Sequence, residues 1–241
     1  MLTQFSRTEL IFGKEAMDKL LSCRVAVFGI GGVGGYVVEA LARSGIYNFV
    51  LVDDDNVCIT NINRQIIATT ETIDQPKVEV MKKRILSINP DANVEIRQCF
   101  YLPSNAGEFN FEEYDYVVDC VDTVTAKLSI IMEAKKHNKL FISAMGAGNK
   151  MNPSMLEVSD ISKTSVDPLA KVMRYELRKR NIKNVKVVYS KEEPIKLVDA
   201  DFEEKTNKRI VPGSNAFVPS VMGLIMASEI IKDLINYRNC G

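Results

Sequence analysis

A glycine-rich segment near the start of the chain has a spacing that can hold a nucleotide phosphate. Residues 29–35 read GIGGVGG and satisfy the pattern G-x-G-x-x-G, between an apolar run and a helical pattern. In such a turn the first glycine allows a tight bend, the second lets a phosphate approach the backbone, and the third packs helix on strand. The segment therefore predicts a nucleotide site, rather than a purely structural turn, that uses Gly29, Gly31, Gly32 and Gly34.

Two acidic residues, Asp53 and Asp55, follow the second apolar run at Asn48–Val52. A nucleotide-binding turn of this kind is followed, about 20 residues downstream, by an acidic side chain that binds the ribose hydroxyls. Asp53 lies where that geometry requires, so we predict that it binds the ribose. Two roles remain open for Asp55, which are a second ribose contact and a structural acid.

The loop after these acids offers the groups that adenylation would need beyond nucleotide binding. Adenylation must neutralise a triphosphate, hold Mg²⁺ and stabilise charge at the α-phosphorus while pyrophosphate leaves. Residues 61–65 read NINRQ, and Lys77 begins the next helical pattern. Asp122 ends a later apolar strand, and open α/β sheets bind ligands at the carboxyl ends of their strands. Asparagines also form turns, so ligand contact is one of two interpretations for Asn61 and Asn63; Gln65 is a further candidate for ligand contact.

The elements that must position these residues alternate between apolar strands and helical patterns. Five strands are predicted in the first half, at Arg24–Ile30, Asn48–Val52, Asn93–Gln98, Tyr116–Val121 and Leu140–Ala144. In the second half a strand is predicted at Lys186–Tyr189, and Met155–Val158 is a candidate for another. This alternation is typical of an α/β protein with a doubly wound, mostly parallel Rossmann-like sheet. We expect one domain over 1–241, with a nucleotide-binding core over 1–145. An irregular substrate-side extension over 146–241 is expected to pack on the same core.

The elements at the two ends of the chain are less regular. One amphipathic helix is predicted over residues 7–22, and a closing helix over Val218–Tyr237. A basic helix is predicted over Pro168–Arg180, and a long loop over Ser190–Ser214. Because the apolar C-terminal stretch contains proline and glutamate and is short for a membrane span of about 20 residues, we expect it to be a buried helix.

The composition excludes several classes of protein. The chain has 241 residues, of which 46% are hydrophobic and 26% charged, and this is typical of a globular protein. Its 31 basic and 31 acidic residues cancel, so no whole-chain attraction to nucleic acid follows. The N-terminus has no secretory signal pattern, and we expect a cytoplasmic protein without stable membrane insertion. A disulfide framework and a cysteine-rich zinc site are disfavoured because no C-x-x-C pair occurs among Cys23, Cys58, Cys99, Cys120 and Cys240.

The motifs of the first half, taken in order, resemble one superfamily. Over about residues 5–145 the chain resembles the ThiF/MoeB/ubiquitin-activating-enzyme adenylation domain. The resemblance is carried by the glycine turn, the acids Asp53–Asp55, the run Thr60–Gln65, Lys77 and the strand end Val118–Asp122. The resemblance implies that these positions bind ATP and Mg²⁺. It also implies adenylation of a carboxylate, which in this superfamily is usually the C-terminal glycine of a protein.

The second half resembles one branch of that superfamily, the bacterial tRNA threonylcarbamoyladenosine dehydratases. The resemblance is carried by Ser143–Pro153, Asp167–Ala170, Arg174–Arg180, Val188–Ser190 and Gly213–Pro219. It implies an ATP-dependent dehydration of threonylcarbamoyladenosine in tRNA, in which the threonyl carboxylate is adenylated and a ring then closes with loss of AMP. The sulfur-carrier-activating branch usually has two C-x-x-C zinc pairs, and this chain has none.

The resemblance also assigns roles to single residues. Arg64 and Lys77 are implied to bind the phosphates and the departing pyrophosphate, and Asp122 to hold Mg²⁺ or stabilise the transition state. Arg7 resembles an N-terminal arginine that reaches the triphosphate of the partner subunit in dimeric relatives. Contact of Asn149 and Lys150 with the acyl acceptor is a further hypothesis. The implied partners are a tRNA substrate, a second copy of the chain and a sulfur-transfer protein.

Other functions remain open on the residues alone. The alternative within the superfamily is adenylation of the C-terminal glycine of a small sulfur-carrier or ubiquitin-like protein. The glycine turn by itself would also suit an NAD-dependent oxidoreductase or a nucleotide-binding scaffold without catalysis. A basic stretch offers the best candidate for tRNA phosphate contact, although composition alone favours a solvated helix face. The stretch contains Lys171, Arg174, Arg178, Lys179, Arg180, Lys183 and Lys186.

Overall fold

A single seven-stranded sheet runs through the chain, whose computed structural model describes residues 2–197 and 212–237. Most of the predicted 190–214 loop, together with Cys240, lies outside the described residues. The strands are β1 (Arg24–Phe28), β2 (Asn48–Val52), β3 (Asn93–Arg97), β4 (Tyr116–Asp119), β5 (Leu140–Ala144), β6 (Leu156–Asp160) and β7 (Lys186–Ser190).

The strand order is β3-β2-β1-β4-β5-β7-β6. Each neighbouring pair is parallel except β6 and β7, which pair in the antiparallel sense at one edge. The first five strands follow the order of a doubly wound nucleotide-binding sheet, in which the strand order reverses between the parallel neighbours β1 and β4. The predicted mostly parallel, doubly wound architecture is therefore confirmed.

Helices cover both faces of this sheet. They are α1 (Ser6–Phe12), α2 (Lys14–Ser22), α3 (Gly34–Arg43), α4 (Lys77–Ile88), α5 (Val124–Lys136), α6 (Pro168–Lys179) and α7 (Val218–Leu234). Val37 of α3 and Met226 of α7 share one apolar core, whereas Ile130 of α5 belongs to the core on the opposite face. In the described part of the chain, no helix is long and apolar enough to cross a membrane.

The C-terminal part of the chain packs on the nucleotide-binding core. Strand β7 extends the sheet next to β5, and α7 lies against α3. At this contact a Cβ on Gly223 would lie 2.4 Å from the carbonyl oxygen of Val33, so only glycine allows the two helices to approach so closely. Helix α7 thereby supports the end of the glycine turn from which α3 begins.

The prediction of one helix over residues 7–22 is wrong. Gly13 adopts φ +82° and ψ 160°, and it separates α1 from α2. This conformation lies in the region that glycine adopts without a steric cost. Several predicted ends also shift by one to three residues: for instance, β1 ends at Phe28 rather than Ile30, because the glycine turn begins at once.

Candidate active site

The glycine turn connects β1 to α3 and is built from very close backbone contacts. Gly29 has φ +90°, and a Cβ there would lie 2.7 Å from the carbonyl oxygen of Cys120 at the end of β4. A Cβ on Gly34 would lie 1.8 Å from the carbonyl oxygen of Gly29. By contrast, a Cβ on Gly31 would have its nearest contact at 3.8 Å. Gly29 and Gly34 thus form the turn, whereas Gly31, the second glycine of the pattern, leaves room for a ligand.

A cavity of about 520 Å³ opens over this turn at the switch point between β1 and β4. Its wall brings together most of the residues that the sequence selected, from five separate parts of the chain. They are Gly29, Gly31, Gly32, Asp53, Asp55, Asn61, Arg64, Gln65, Lys77 and Asp122. Gly34 packs beneath the turn, and neither Asn63 nor Arg7 belongs to this wall.

Asp53 joins the end of β2 to the glycine turn. Its carboxylate accepts a hydrogen bond from the backbone N–H of Ile30 at 2.6 Å and another from that of Asp55 at 3.0 Å. Burial raises the pKa of the Asp53 carboxyl, although Lys77 and these two N–H groups oppose the shift. The predicted ribose-binding acid therefore also holds the glycine turn in place.

Lys77 begins α4 and points its ammonium group into the acidic part of the cavity. Its side chain is only 6% exposed, and Nζ lies 2.6 Å from Oδ2 of Asp55 and 3.8 Å from Oδ1 of Asp53. The Asp55 side chain is 63% exposed, so it can turn toward solvent when another anion binds. Lys77 is thus a buried cation whose carboxylate partner a phosphate can replace.

The Asn61–Gln65 loop forms another side of the cavity. Asn61 is buried, and its Oδ1 accepts a hydrogen bond from the backbone N–H of Cys58 at 3.0 Å. Arg64 donates to the Thr60 carbonyl oxygen and to Oδ1 of Asn63, whose amide in turn donates to the Ser214 carbonyl oxygen. Asn63 therefore orients Arg64 from behind the wall.

Gln65 has an unused acceptor on this wall. Its side chain is buried, and Oε1 has no hydrogen-bond partner within the described part of the chain. Leaving a buried amide oxygen unpaired costs about 1–3 kcal/mol. A hydroxyl or amino group of a bound ligand would remove that cost, so this atom suits a nucleotide contact.

The oxygen ligands at the rim of the cavity fit Mg²⁺. Asp122 is exposed after β4, and the carboxylate oxygens of Asp53, Asp54 and Asp55 lie within 4.8 Å of one another. The pKa of Asp54 is raised first by burial, then by Asp55, and to a smaller extent by Asp122. Mg²⁺ takes one or two protein carboxylates together with phosphate oxygens, and this donor set is of that kind.

Comparison with known proteins identifies the family. The profile of the ThiF family matches residues 5–240. This chain belongs to the ThiF family. Within the family it is 46% identical, over 98% of its own length and 96% of the relative's, to a Bacillus subtilis protein named tRNA threonylcarbamoyladenosine dehydratase. An Escherichia coli protein of the same name is 37% identical over 73% of this chain and 65% of its own length.

A solved structure agrees with the fold of this ThiF-family chain. The crystal structure of E. coli tRNA N6-threonylcarbamoyladenosine dehydratase, TcdA, in complex with ATP matches it with a TM-score of 0.87 and 31% identity. The match covers 97% of this chain and 94% of that one. The resemblance to the dehydratase branch of the ThiF family is therefore confirmed.

Sequence reasoning missed a buried network beneath this ThiF-family site. Asp119 of β4 is fully buried, and its carboxylate lies 3.0 Å from Nζ of Lys127 and accepts a hydrogen bond from the hydroxyl of Ser143. Lys127 also donates to the carbonyl oxygen of Val121 at 2.9 Å. The network fixes the segment between β4 and α5 that carries Asp122. An acidic residue inside an apolar strand was the one signal that the sequence offered.

The remaining predicted residues lie outside the nucleotide cavity of this ThiF-family fold. Arg7 is exposed on α1. Asn149 has φ +57°, and its side-chain oxygen accepts a hydrogen bond from the backbone N–H of Gly213 at 2.6 Å. Lys150 is buried, and its Nζ lies 3.0 Å from Oδ2 of Asp167. Asn149 thus holds the backbone of a loop, whereas Lys150 forms a buried ion pair.

Proposed function

We propose that this protein carries out the ATP-dependent cyclising dehydration of threonylcarbamoyladenosine in tRNA. The observation that carries the proposal is the cavity over the glycine turn, where Arg64, Lys77 and Asp122 come together from three elements. Phosphate chemistry needs such charges, and hydride transfer to a nicotinamide does not. The match to dehydratases over nearly the whole chain supports the substrate.

ATP binds with its phosphates over the glycine turn in this proposal. The backbone at Gly31 and Gly32 and the N-terminus of α3 supply N–H donors to the phosphates. Lys77 leaves Asp55 to bind phosphate oxygens, and Arg64 stabilises the departing pyrophosphate. Asp53 binds the ribose, as proposed from its position after β2.

Asp122 holds Mg²⁺ in this proposal, with the acids after β2 as its neighbours. The bound ion would neutralise phosphate charge and make the α-phosphorus more electrophilic. The Asp122 backbone is kept in position because Lys127 of α5 donates a hydrogen bond to the carbonyl oxygen of Val121, the residue before Asp122. The protein therefore contributes orientation and charge at the carboxyl edge of the sheet.

The proposed reaction consists of two nucleophilic substitution steps at the bound substrates. An oxygen of the threonyl carboxylate attacks the α-phosphorus, a new O–P bond forms, and pyrophosphate leaves with the electrons of the broken P–O bond. An atom of the same side chain then attacks the activated carbonyl carbon, loses its proton and expels AMP, which keeps the carboxylate oxygen. Ring closure is intramolecular, and well-held geometry can contribute up to about 7–11 kcal/mol to such a step.

The cysteines near the cavity are poorly suited to hold the acyl group. Burial raises the pKa of Cys120 well above its ordinary value, with a further contribution from Asp119. The pKa of Cys99 is also raised, first by burial. A thiol is nucleophilic as its thiolate, so direct attack by the substrate's own side chain is favoured over a thioester.

The proposal also includes a second copy of the chain as a partner. A homodimer is proposed because Leu10 and Ile11 of α1 are 87% and 82% exposed, next to Arg7 on the same helix. The second subunit would cover these residues and bring Arg7 to the partner's triphosphate. A cytoplasmic location follows from a tRNA substrate. A sulfur-transfer protein remains a proposed further partner, without a surface assigned to it.

The basic stretch remains the proposed tRNA contact, with one revision. Arg180 pairs with Glu176, and Arg174 donates to the Thr164 carbonyl oxygen. Arg178 and Lys183 line an open cleft of about 330 Å³ at the C-terminal end of α6, whose wall Arg174 shares. These two side chains are the better candidates for phosphate contact.

The proposal is tested by pyrophosphate release in three parallel reactions. The purified protein and ATP are incubated with tRNA that carries threonylcarbamoyladenosine, with the same tRNA lacking the modification, and with a small sulfur-carrier protein that ends in glycine. Release with the modified tRNA alone is expected. Release with the carrier protein alone would instead support the alternative, in which the C-terminal glycine of a protein is adenylated.

A further inference from the structure

A second cavity of about 350 Å³ lies next to the nucleotide cavity. The two share part of their walls, including Cys120 and Asp122 after β4, and Ala147 and Gly148 after β5. A group in the second cavity would therefore approach the nucleotide beside Asp122. In the proposed reaction, the atom that attacks the α-phosphorus must arrive from such a neighbouring space.

The wall of the second cavity is mainly apolar, with one ion pair in it. Ala144, Met145 and Leu169 contribute apolar surface, and Lys150 with Asp167 contributes a buried cation and anion. This composition suits a small organic group with one polar end, because apolar walls supply burial and a few polar groups fix orientation. A free divalent metal or a phosphate alone would leave the apolar wall unused.

The ion pair is held by its surroundings rather than by solvent. The side chains of Lys150 and Asp167 are 1% and 0% exposed. Asp167 also accepts a hydrogen bond from the backbone N–H of Ala170 at 2.7 Å, and Lys150 donates to the Glu192 carbonyl oxygen at 3.3 Å. A lysine ammonium has three N–H groups, and those two partners leave one N–H unassigned within the described part of the chain.

Burying such a pair is costly for folding. Removing two charges from water costs several kcal/mol for each ion, and an apolar pair of similar volume is often as stable or more stable. Asp167 could cap α6 without Lys150 nearby, so capping does not explain the lysine. A cation at the wall of a cavity that opens toward the reaction centre is better explained by a ligand with an anionic or carbonyl oxygen.

We propose that the second cavity binds the threonylcarbamoyl group, with Lys150 donating a hydrogen bond to one of its oxygens and Asp167 holding Lys150 in place. The inference rests on the proposed function and names the site where that substrate's side chain lies. The apolar wall receives the threonyl methyl group, and the carboxylate faces the shared boundary at Asp122. Lys150 is therefore a substrate-binding residue, and Asp167 a positioning residue.

The test compares modified with unmodified tRNA in a double variant, Lys150→Met with Asp167→Asn, which removes both charges together. We expect kcat/KM for AMP formation with modified tRNA to fall about 100-fold, the scale on which loss of one positioned donor acts. Binding of a non-hydrolysable ATP analogue and of unmodified tRNA should stay at the wild-type level. A merely structural pair would not selectively remove the preference for modified tRNA.

A matched control removes an ion pair from helix α7. Lys232 and Glu229 lie 2.9 Å apart near the end of that helix. The variant Lys232→Met with Glu229→Gln makes the same kind of chemical change outside both cavities. Its kcat/KM should equal that of the wild type, whatever its thermal unfolding midpoint.

A second variant keeps the proposal testable if the double variant does not fold. Leu169→Phe adds volume at the cavity wall, and it should raise KM for modified tRNA about tenfold, the scale of a poorly fitting side-chain pocket. Unchanged kinetics in either folded variant would overturn the proposal. If wild-type protein forms no AMP with modified tRNA, the proposed function fails first, and this inference falls with it.

Discussion

The charged residues of the nucleotide cavity occupy three different electrostatic settings. Lys77 is buried between carboxylates, Arg64 is half-buried in a loop, and Asp122 is exposed at the rim. These settings suit different stages of phosphate chemistry: a desolvated cation binds strongly, whereas an exposed carboxylate can exchange water for a metal ion. Replacing Asp122 should therefore affect the reaction without affecting the fold.

The first prediction concerns Asp122→Asn. We expect the rate of AMP formation to fall at least about 100-fold, because the amide would hold the proposed Mg²⁺ at the phosphates much less well. The free energy of unfolding should change by less than about 0.5 kcal/mol, as for other exposed substitutions. Pyrophosphate release and thermal unfolding measure the two effects. Asp91→Asn, at an exposed acid before β3, is the control, and full activity of the Asp122 variant would refute the assigned role.

The positions of single residues were predictable where a local pattern fixed them. Gly29, Gly34 and Asp53 stand at the places that the turn and the strand end dictate. The pairs Asp119 with Lys127 and Lys150 with Asp167 were not predicted as pairs. Each partner looks ordinary in the sequence, because pairing depends on how the strands and helices meet in space.

At the scale of elements, the glycine turn combines two functions that substitution can separate. Gly34→Ala would place a Cβ 1.8 Å from the Gly29 carbonyl oxygen, so the turn must move. The second prediction is a loss of at least about 2 kcal/mol of stability for this variant, the scale of overpacking. Gly31→Ala has its nearest neighbour at 3.8 Å, so it should fold normally but bind ATP more weakly.

Denaturant unfolding and ATP titration distinguish these two variants. Gly107→Ala is the matched control, since a Cβ there would meet nothing within 4 Å in the described part of the chain. Equal stability of the Gly34 and Gly31 variants would contradict the geometry of the turn.

The third prediction concerns pH and the contact between α3 and α4. Burial by itself would raise the pKa of Glu39, but hydrogen bonds from Arg84 and Arg43 outweigh it and lower the pKa below its ordinary value of 4.5. An acid with a lowered pKa in the folded state stabilises the protein above the unfolded pKa, and this contribution is lost as pH falls. Glu39→Gln should therefore cost about 1 kcal/mol at pH 7, since the arginines are partly exposed and screened.

Urea unfolding at pH 7 and at lower pH measures this difference between wild type and variant. It should shrink as pH falls below about 4.5, the ordinary value for a free glutamate. The exposed Glu79→Gln on α4 is the control, with a small difference at every pH. A Glu39 effect that grows on acidification would contradict the assigned cause.

The alternation of elements was predictable because each buried strand is a short apolar run between turn residues. The break at Gly13 was missed because the amphipathic pattern of side chains continues across it, whereas the helical conformation of the backbone ends there. The antiparallel direction of β6 could not be predicted from the sequence either, because the apolar pattern of a strand does not indicate whether its neighbour is parallel or antiparallel.

At the scale of the whole molecule, α1 presents an apolar surface that the described chain leaves open. Leu10 and Ile11 are exposed, and Arg7 precedes them on the same helix. The fourth prediction is that two inactive variants, Arg7→Ala and Asp122→Asn, regain AMP formation when mixed and re-equilibrated. In a mixed dimer, one site would have an intact Asp122 and would receive an intact Arg7 from the partner.

Light scattering on Leu10→Asp with Ile11→Asp should show a loss of the dimer. The control places the same charges at Val172 and Tyr175, exposed residues of α6. Absence of complementation together with a monomeric wild-type mass would remove the shared-site proposal.

The central claim is that the threonyl carboxylate of the modified tRNA is the group that attacks the α-phosphorus of ATP. The most direct measurement labels that carboxylate with a heavy oxygen isotope and analyses the AMP released by wild-type protein. One labelled oxygen in the AMP, with a nucleoside lighter by one water, is the predicted result. Unlabelled AMP, or label kept entirely in the nucleoside, would contradict adenylation of that carboxylate.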